Sequence, residues 1–455
     1  MDDLTRRIAN FAASASFDRM SAEDAHLATQ RVVDSLACAI AAYDCETAQI
    51  GLRLAEGAAP KRYGGRVLGH GMRSTAADAA FANTSMIRNL DWNDHFPGGH
   101  PSDCLGALFA LADTAGADGR RLLTSMDVAY ELVIRLSEAT QLRDRGWDQG
   151  FAIGVSTAAA VGNLLGLSQE AIGEAVAITA VANIPMRNTR AGELSLWKGA
   201  ATAFAVRNGL SAALLAAEGM TGPDRPFEGR HGLWDLITGP FELDPLPNEG
   251  GKHRLSDIDL KYWPVEYNAQ IVVWAGLDLR AKLDWRELED VDVGTYAFAV
   301  SEIGLDTEKW DPKTRETADH SLPYILARTI VDGTINVGSF AETAYRDPDL
   351  RPLMAKIRVR QDDAIDRLYP GTVAIKVQAK TTDGTNYPLE LQHPLGHEKN
   401  PMKDKDVTAK FLGAAEPVLG HDRAAAALER WWDLPTVTDL TGAIDLLDAP
   451  TRARR

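Results

Sequence analysis

The feature that most constrains the fold is a succession of alanine-rich stretches in the first 260 residues, each with apolar residues at helical spacing. Ser21 is a predicted N-cap for the first stretch, with Glu23 and Asp24 in its first turn. Small residues allow such helices to pack closely. Further helices are predicted over residues 76–89, 102–115, 125–139, 151–165, 169–182 and 199–218. The sequence therefore predicts a large all-helical domain over residues 1–264.

The pattern changes after residue 264. β-branched residues in near-alternation predict strands over residues 291–302, 355–360, 372–381 and 386–393. Asp383-Gly384 between the last two is a hairpin signal. Helices are predicted at 268–282, 321–331 and 361–368, and then again at 403–412, 423–432 and 438–447. We expect a mainly α protein in which residues 265–395 form a smaller α+β lid domain and residues 396–455 rejoin the helical domain.

Composition excludes several classes of partner. A formal net charge of -16 and a pI of about 5.1 oppose binding to nucleic acid and to anionic membranes. We find no apolar signal core at the N-terminus and no run of about twenty uncharged apolar residues, so no membrane-spanning helix is expected. Three cysteines without CxxC spacing argue against a disulfide framework, a zinc site or an iron–sulfur cluster. These features predict a cytoplasmic protein.

The first candidate site is a loop that follows the helix predicted at 76–89. It places Asp91, Asp94, His95 and His100 close together, around the break Pro97-Gly98-Gly99. Carboxylates and imidazoles that titrate at different pH values can give and take protons side by side. Ser102 or Asp103 can cap the next helix. The alternatives are an ordinary capping loop and a metal site, although no HExxH pair accompanies the loop.

A cationic segment comes before the helix predicted at 199–218. Arg187, Arg190 and Lys198 form a plausible carboxylate receptor, because guanidinium groups bind carboxylates bidentately and lysine supplies a point charge. The alternative is a solvated loop. Trp197 favours the first interpretation, since an apolar neighbour that excludes water strengthens the charge.

The predicted domain junction, residues 261–268, offers Lys261, Tyr262, Glu266 and Asn268 where a cleft can form. Aromatic side chains that wedge two domains together are the alternative. No GxGxxG, GxxxxGK[ST] or GxSxG motif is present, which lowers support for dinucleotide, nucleotide and α/β-hydrolase chemistry.

Four segments carry a family resemblance. LDWNDHFPGGHPSD at 90–103, SLWKG at 195–199, KYWPVEYNAQ at 261–270 and PLGHEKNPM at 394–402 resemble the successive signature blocks of the MmgE/PrpD family. Members of that family dehydrate 2-methylcitrate, decarboxylate cis-aconitate or epimerise iminodisuccinate. The resemblance implies an all-helical domain with a smaller α+β lid, and it implies a homodimer.

The run RAGELSLWKGAATAFAVRNG at 190–209 and the PVEY segment at 264–267 are most similar to the 2-methylcitrate dehydratase branch. Decarboxylases carry a histidine where Glu266 stands, and Asn268 stands where a histidine is expected in the dehydratases. The resemblance implies that Asp91 and His100 are active-site residues, that Lys198 and Lys261 are active-site cations, and that Asp148 and Glu266 line the cleft. We expect catalytic roles for Asp91, His100, Lys198 and Lys261. The expected substrate-binding residues are His95, Asp148, Arg187, Arg190, Tyr262, Glu266, Asn268 and His320.

The expected activity is that of a cofactor-independent dehydratase acting on 2-methylcitrate or a similar tricarboxylate, without a metal. We expect the Asp91 carboxylate to orient the His100 imidazole and raise its basicity, while Lys198 and Lys261 stabilise the developing aci-carboxylate. The alternatives are an epimerase or decarboxylase of the same scaffold and a protein that only binds a polycarboxylate.

Overall fold

The computed structural model describes residues 1–56, 62–190 and 194–450. Within these ranges the chain forms 19 α-helices, several 3₁₀ turns and six strands, so the predicted mainly α class is confirmed. Two parts of the predictions lie outside the described residues. They are positions 191–193 of the RAGELSLWKG run and positions 451–455 at the end of the predicted helical domain.

The first part of the chain is built from nine α-helices. They are α1 Asp3–Ser14, α2 Ala22–Ala41, α3 Glu46–Ala55, α4 Ala76–Asn89, α5 Leu105–Leu111, α6 Gly119–Thr140, α7 Gly150–Leu165, α8 Gln169–Ala182 and α9 Trp197–Ala217. The predicted cap Ser21 accepts a hydrogen bond from the Asp24 amide. The helix predicted at 102–115 is shorter than expected. Pro101–Cys104 is a 3₁₀ turn and α5 ends at Leu111.

The prediction that this part is entirely helical is wrong, because a two-stranded antiparallel hairpin lies between α3 and α4. Its strands are β1 Gly64–Val67 and β2 Met72–Thr75. Gly69 and Gly71 adopt positive φ in the connecting turn. Strands of four residues are too short to give a period-two signal, which is why sequence reasoning missed them.

The second part contains a four-stranded mixed sheet in the order β4-β3-β5-β6, with β3 Leu288–Thr295, β4 Ile357–Gln361, β5 Ala374–Thr381 and β6 Asn386–Gln392. β3 pairs parallel with β4 and antiparallel with β5. β5 and β6 form the predicted hairpin, and its turn contains Gly384 at a φ of 87°. The helices of this second part are α10 Gln270–Lys282, α11 Ala297–Ile303, α12 Arg315–Ala318, α13 Leu322–Asp332, α14 Glu342–Tyr345, α15 Arg351–Met354 and α16 Asp363–Asp366.

The strand predicted at 291–302 is only half correct, because the chain leaves β3 at Thr295 and turns into α11. The Asp366 carboxylate accepts a hydrogen bond from the Ala297 amide at 2.8 Å and so satisfies a free N–H at the start of this helix. The residue that caps α11 is distant in sequence, and local alternation could not reveal it. After β6 the chain is helical again, with α17 Asp404–Leu419, α18 His421–Trp432 and α19 Leu440–Asp445.

Buried apolar side chains form two separate cores among the described residues. The large core draws its residues from Leu4 to Leu260 and from Met402 to Leu447. The small core draws its residues from Val265 to Ala379. The expected domain boundaries at 264/265 and 395/396 fall between these sets, and the division into a helical domain and a lid stays a prediction.

α9 is the one helix of the described residues that is long and apolar enough to cross a membrane by composition. Within its most apolar window, 61% of the residues are buried inside the protein. It packs against α4, α7 and α8. This burial is typical of the core helix of a globular protein. Lys198, at the start of α9, lines the main cavity of the molecule.

Candidate active site

A cavity of about 370 Å³ lies where loops of the large core meet the small core. Its wall contains ten of the twelve predicted site residues; the other two are Asp148 and Tyr262. Basic side chains outnumber acidic ones in the wall, with Arg88, Arg143, Arg187, Arg190, Lys198, Lys261 and Lys309 against Asp91, Glu266, Glu302 and Asp306. Such a surplus favours an anionic ligand.

Asp91 is the centre of the cationic part of the wall. It follows α4 and adopts φ = 49°, a left-handed conformation that is uncommon for a residue with a side chain. Its Oδ1 accepts a hydrogen bond from Lys261 Nζ at 2.9 Å, and its Oδ2 accepts one from Lys198 Nζ at 3.0 Å. Arg88, three residues earlier, contacts the same carboxylate. These ionic contacts hold the loop in its strained form.

Burial and charge set the protonation of this group. Burial opposes ionisation of Asp91, but Arg88, Lys198 and Lys261 outweigh it and hold the pKa of the carboxyl well below its usual value. Burial lowers the pKa of Lys198 to about 8, although Asp91 acts in the opposite direction. Lys198 can therefore exchange a proton close to neutral pH.

His320 extends the Asp91 group toward the small core. Its Nε2 lies 3.2 Å from Asp91 Oδ2 and its Nδ1 lies 2.5 Å from Asp319 Oδ1. Arg315 lies 3.4 Å from the other Asp319 oxygen. His320 thus contacts two carboxylates, its chain neighbour Asp319 and Asp91 from the first part of the chain, and so connects the two parts of the molecule.

His100 is buried and faces the cavity. Its Nδ1 lies 2.6 Å from the carbonyl oxygen of Asp94 and donates to it, since a carbonyl can only accept. Nε2 then carries no proton and is the free acceptor. Burial, together with the charges of Arg88 and Lys261, holds the pKa of His100 well below its usual value. A neutral imidazole with a free Nε2 is what a general base requires.

The expected pairing of Asp91 with His100 is wrong. No hydrogen bond joins them, because the oxygens of Asp91 are occupied by the cations and His320. A backbone carbonyl orients His100 instead, and the charges of Lys261 and Arg88 offset the effect of Asp91 on its basicity.

The capping prediction for Ser102 and Asp103 is also wrong. Asp94 accepts hydrogen bonds from the Ser102 amide at 3.1 Å and from its hydroxyl at 2.6 Å. Asp94 therefore has a structural role at the start of the 3₁₀ turn and does not reach the cavity.

The predicted sharp turn places His95 beside His100. Phe96 and Gly99 exchange backbone hydrogen bonds at 3.0 and 2.9 Å, and the two imidazole centroids are 5.9 Å apart. His95 stacks on Tyr267 with a centroid distance of 3.9 Å and an interplanar angle of 8°. The stack joins a loop of the large core to the small core at the cavity wall.

The predicted arginines Arg187 and Arg190 line another part of the cavity wall. Arg190 donates to Asp148 at 2.7 and 3.3 Å, so Asp148 holds Arg190 from behind and does not line the cavity. Arg187 lies 3.7 Å from Glu302 Oε1 and Arg143 lies 3.6 Å from the same oxygen. Glu302 belongs to α11, so these contacts join the two sides of the cavity mouth.

Glu266 and Asn268 form a compact pair in the wall. Glu266 accepts hydrogen bonds from the Asn268 amide at 2.7 Å and from Asn268 Nδ2 at 2.8 Å. Tyr296 in turn donates its hydroxyl to Asn268 Oδ1 at 2.6 Å. Asn268 therefore occupies a fully defined position.

The structure does not place Tyr262 in the cavity wall, contrary to its predicted substrate-binding role. Its ring packs against Trp263 and Trp274, with centroids 4.8 and 5.8 Å away, and its carbonyl accepts a hydrogen bond from Trp92 Nε1. The wedging alternative describes this residue correctly.

Sequence reasoning missed three basic residues of the wall. Arg88 had a signal, because it is the one basic residue of α4 and lies one turn before the predicted site loop. Arg143 and Lys309 had no such signal, since each lies in a polar stretch of sequence that is typical of a protein surface. Lys309 is 6% exposed, and no described residue accepts a hydrogen bond from its ammonium group.

One group of potential metal ligands occurs among the described residues, outside the cavity. Asp127, Glu131 and His253 have ligand atoms within 4.8 Å of one another. They already pair internally, with His253 Nδ1 at 3.0 Å from Asp127 and Arg135 in contact with Glu131. The two carboxylates therefore already have partners, His253 for Asp127 and Arg135 for Glu131.

Comparison with known proteins extends this description to nearly the whole chain. The MmgE/PrpD N-terminal domain matches residues 6–246, and the MmgE/PrpD C-terminal domain matches residues 263–434. The 2-methylcitrate dehydratase of Cupriavidus necator is 28% identical over 81% of both chains. The 2-methylcitrate dehydratase of Escherichia coli K12 is 27% identical over 74% of both. The human cis-aconitate decarboxylase is 25% identical over 82% of this chain and 79% of its own. This chain belongs to the MmgE/PrpD family.

Proposed function

We propose that the protein is a cofactor-independent hydro-lyase that converts 2-methylcitrate, or a similar tricarboxylate, to the cis-aconitate-type alkene and water. The observation that carries the proposal is the neutral, buried His100 facing a cavity whose wall has more basic than acidic side chains. The dehydratases among the relatives support the choice of reaction.

Proton removal is the first chemical step. Nε2 of His100 takes the proton from the carbon next to a substrate carboxylate, and that carboxylate gains aci-carboxylate character. Lys261 and Arg88 are cations in a largely water-free wall, where fixed charge stabilises the developing anion more strongly than it does in water.

Loss of the hydroxyl completes the reaction. The C–O bond breaks as the C=C bond forms, and the departing hydroxyl needs a proton to leave as water. Lys198, whose pKa is about 8, is the donor that we assign to this step. His100 later releases its proton to solvent and Lys198 takes one up from solvent, so both side chains end the cycle as they began.

The alternative within the family is an epimerase or decarboxylase acting on another polycarboxylate. Asn268, at the position where a histidine is expected in dehydratases, is the residue that supports it. Each of these reactions develops negative charge next to a carboxylate, so the same cations serve all three. The rival from a different class is a protein that binds a polycarboxylate without turnover.

The deciding experiment follows the absorbance of the conjugated alkene in chelator-treated protein supplied with 2-methylcitrate or citrate. A rise that His100→Ala abolishes, while His26→Ala on the exposed surface keeps it, supports the hydro-lyase. If absorbance stays flat, deuterium exchange next to a carboxylate, followed by NMR, identifies an epimerase. Binding without either signal identifies a binder and overturns the proposal.

We also propose that the protein acts as a cytoplasmic homodimer, as its family resemblance implies. Light scattering during gel filtration measures the mass directly, and the single-chain mass of 49.3 kDa would contradict the proposal.

A further inference from the structure

We propose that Asn268 and Tyr296 are positioning residues that hold the Glu266 carboxylate as a receptor for the hydroxyl group of the substrate. The inference rests on the proposed function and deepens it, because it states how this site distinguishes a hydroxy-tricarboxylate from a tricarboxylate without a hydroxyl.

The first observation is that the Glu266 carboxylate is fixed but not saturated. Each of its oxygens accepts one hydrogen bond, Oε2 from the Asn268 backbone amide at 2.7 Å and Oε1 from Asn268 Nδ2 at 2.8 Å. An ionised carboxylate has about four acceptor positions. Capacity therefore remains on the side that faces the cavity, where Glu266 forms part of the wall.

The second observation is that the orientation of Asn268 is enforced. The Tyr296 hydroxyl donates to Oδ1 at 2.6 Å, which directs Nδ2 toward Glu266. A flipped amide would place Oδ1 against the carboxylate. Tyr296 itself is fully buried and stacks on Tyr369 with centroids 4.3 Å apart and an angle of 9°. A chain of contacts therefore runs from the stacked tyrosines through Asn268 to Glu266 in the cavity wall.

The third observation is that Glu266 forms no ion pair with a described residue, although Lys309 in the same wall feels its charge at longer range. Asp91 contacts three lysine or arginine side chains, and Glu302 is near two arginines. Glu266 makes its side-chain contacts with neutral groups only. A protonated histidine at position 268 would neutralise it, whereas asparagine orients it and leaves its charge free.

The Glu266 carboxylate in this wall determines which group of the substrate binds beside it. It repels substrate carboxylates, which go to the basic residues, and it accepts a charge-assisted hydrogen bond from a hydroxyl. The alkene product has no hydroxyl, so the contact is lost when the C–O bond breaks. Glu266 therefore favours the substrate over the product and assists product release.

The test compares citrate with propane-1,2,3-tricarboxylate, which has the same three carboxylates and no hydroxyl. Calorimetry in the His100→Ala background measures affinity without turnover. We expect citrate to bind about 10-fold more tightly, the usual effect of a hydrogen bond to a charged group. Tyr296→Phe and Glu266→Gln should bring the ratio close to one. Tyr369→Phe, which keeps the stacked ring, is the matched control and should retain the preference.

A second variant separates positioning from a general loss of structure. Asn268→Asp places a like charge against Glu266, so the citrate preference should disappear at pH 8 and partly return at pH 5, where the two carboxyls can share a proton. A pH-independent loss would contradict the inference, as would equal binding of both ligands by the parent protein. Binding of neither ligand would overturn the proposed function as well.

Discussion

Two buried groups in this protein join lysine to aspartate, and their surroundings differ. Lys410 Nζ contacts Asp34 at 2.6 Å and donates to the carbonyls of Trp92 and Lys261 at 2.8 and 2.9 Å. It is sealed from solvent and from the cavity. In the second group, Lys198 and Lys261 share Asp91 with Arg88 and line the cavity.

The difference lies in charge balance and access. Asp34 and Lys410 are matched one to one, and the two carbonyls complete the ammonium's hydrogen bonds. The Asp91 group has three basic side chains for one carboxylate, so it carries a net positive charge that can act on a ligand. The sealed pair of Lys410 and Asp34 positions the two loops that carry Asp91 and Lys261, while in the proposed mechanism the open Asp91 group acts on the substrate. Substitutions in the two groups test this division.

The largest effect should come from a substitution in the cavity wall. His100→Ala removes the proposed base, and we expect kcat to fall about 100- to 10,000-fold, the range that general base catalysis supplies. The free energy of unfolding should fall by only about 1–3 kcal/mol, the cost of leaving the Asp94 carbonyl without its hydrogen bond. A mutant that retained the parent kcat would remove His100 from the mechanism.

The sealed pair should control stability. Lys410→Met leaves Asp34 buried without its counter-ion, so the free energy of unfolding should fall by about 3–5 kcal/mol. Urea denaturation measures it. The matched control is Lys282→Met, which breaks the exposed pair with Asp278 and should cost less than about 1 kcal/mol. Equal losses in the two variants would contradict the comparison.

The pH dependence sharpens the role of the open group. Lys198 must be protonated to donate, and its pKa is about 8, so kcat/KM should fall above pH 8. His100 must be neutral, and its lowered pKa places the acid limb below pH 6.5. Lys198→Arg should keep the positive charge but remove the proton donor, because arginine stays protonated; kcat should fall and the alkaline limb near pH 8 should disappear. An unchanged alkaline limb would assign it to another group.

The smallest effect should come from the cavity mouth. Glu302→Gln releases Arg143 and Arg187 for the substrate, so KM should fall about two- to five-fold, as partly exposed ion pairs contribute little. The difference should shrink in high salt, where such charges are screened. A rise in KM would mean that Glu302 itself contacts the substrate.

The sequence predicted the elements with regular periods and the site residues that cluster locally. α4 and α8 have the predicted bounds, and the turn at Pro97-Gly98 brings His95 to His100 as expected. What failed depends on contacts between distant segments. Asp366 starts α11, Asp94 takes the role expected of Ser102, and Lys309 reaches the wall without any local signal.

The chemistry of single residues was harder to predict for the same reason. Asp91 and His100 occur nine positions apart, and their pairing was the natural expectation. Folding brings Arg88, Lys198, Lys261 and His320 to the same carboxylate, and these partners displace the imidazole. Electrostatic partners of a buried group are a property of the tertiary structure, so spacing along the chain cannot identify them.

The chain enters and leaves the small core at neighbouring points. The Leu260 amide donates to the Gly396 carbonyl at 2.9 Å, and a Cβ on Gly396 would lie 1.9 Å from the Leu260 carbonyl oxygen. An insertion whose two ends are adjacent can be exchanged without rerouting the rest of the chain. His100 and Lys198 lie outside this insertion, whereas Glu266, Asn268 and Tyr296 lie within it. Under the proposed function, replacing this one segment would therefore change the substrate preference and leave the proposed proton-transfer residues His100 and Lys198 in place.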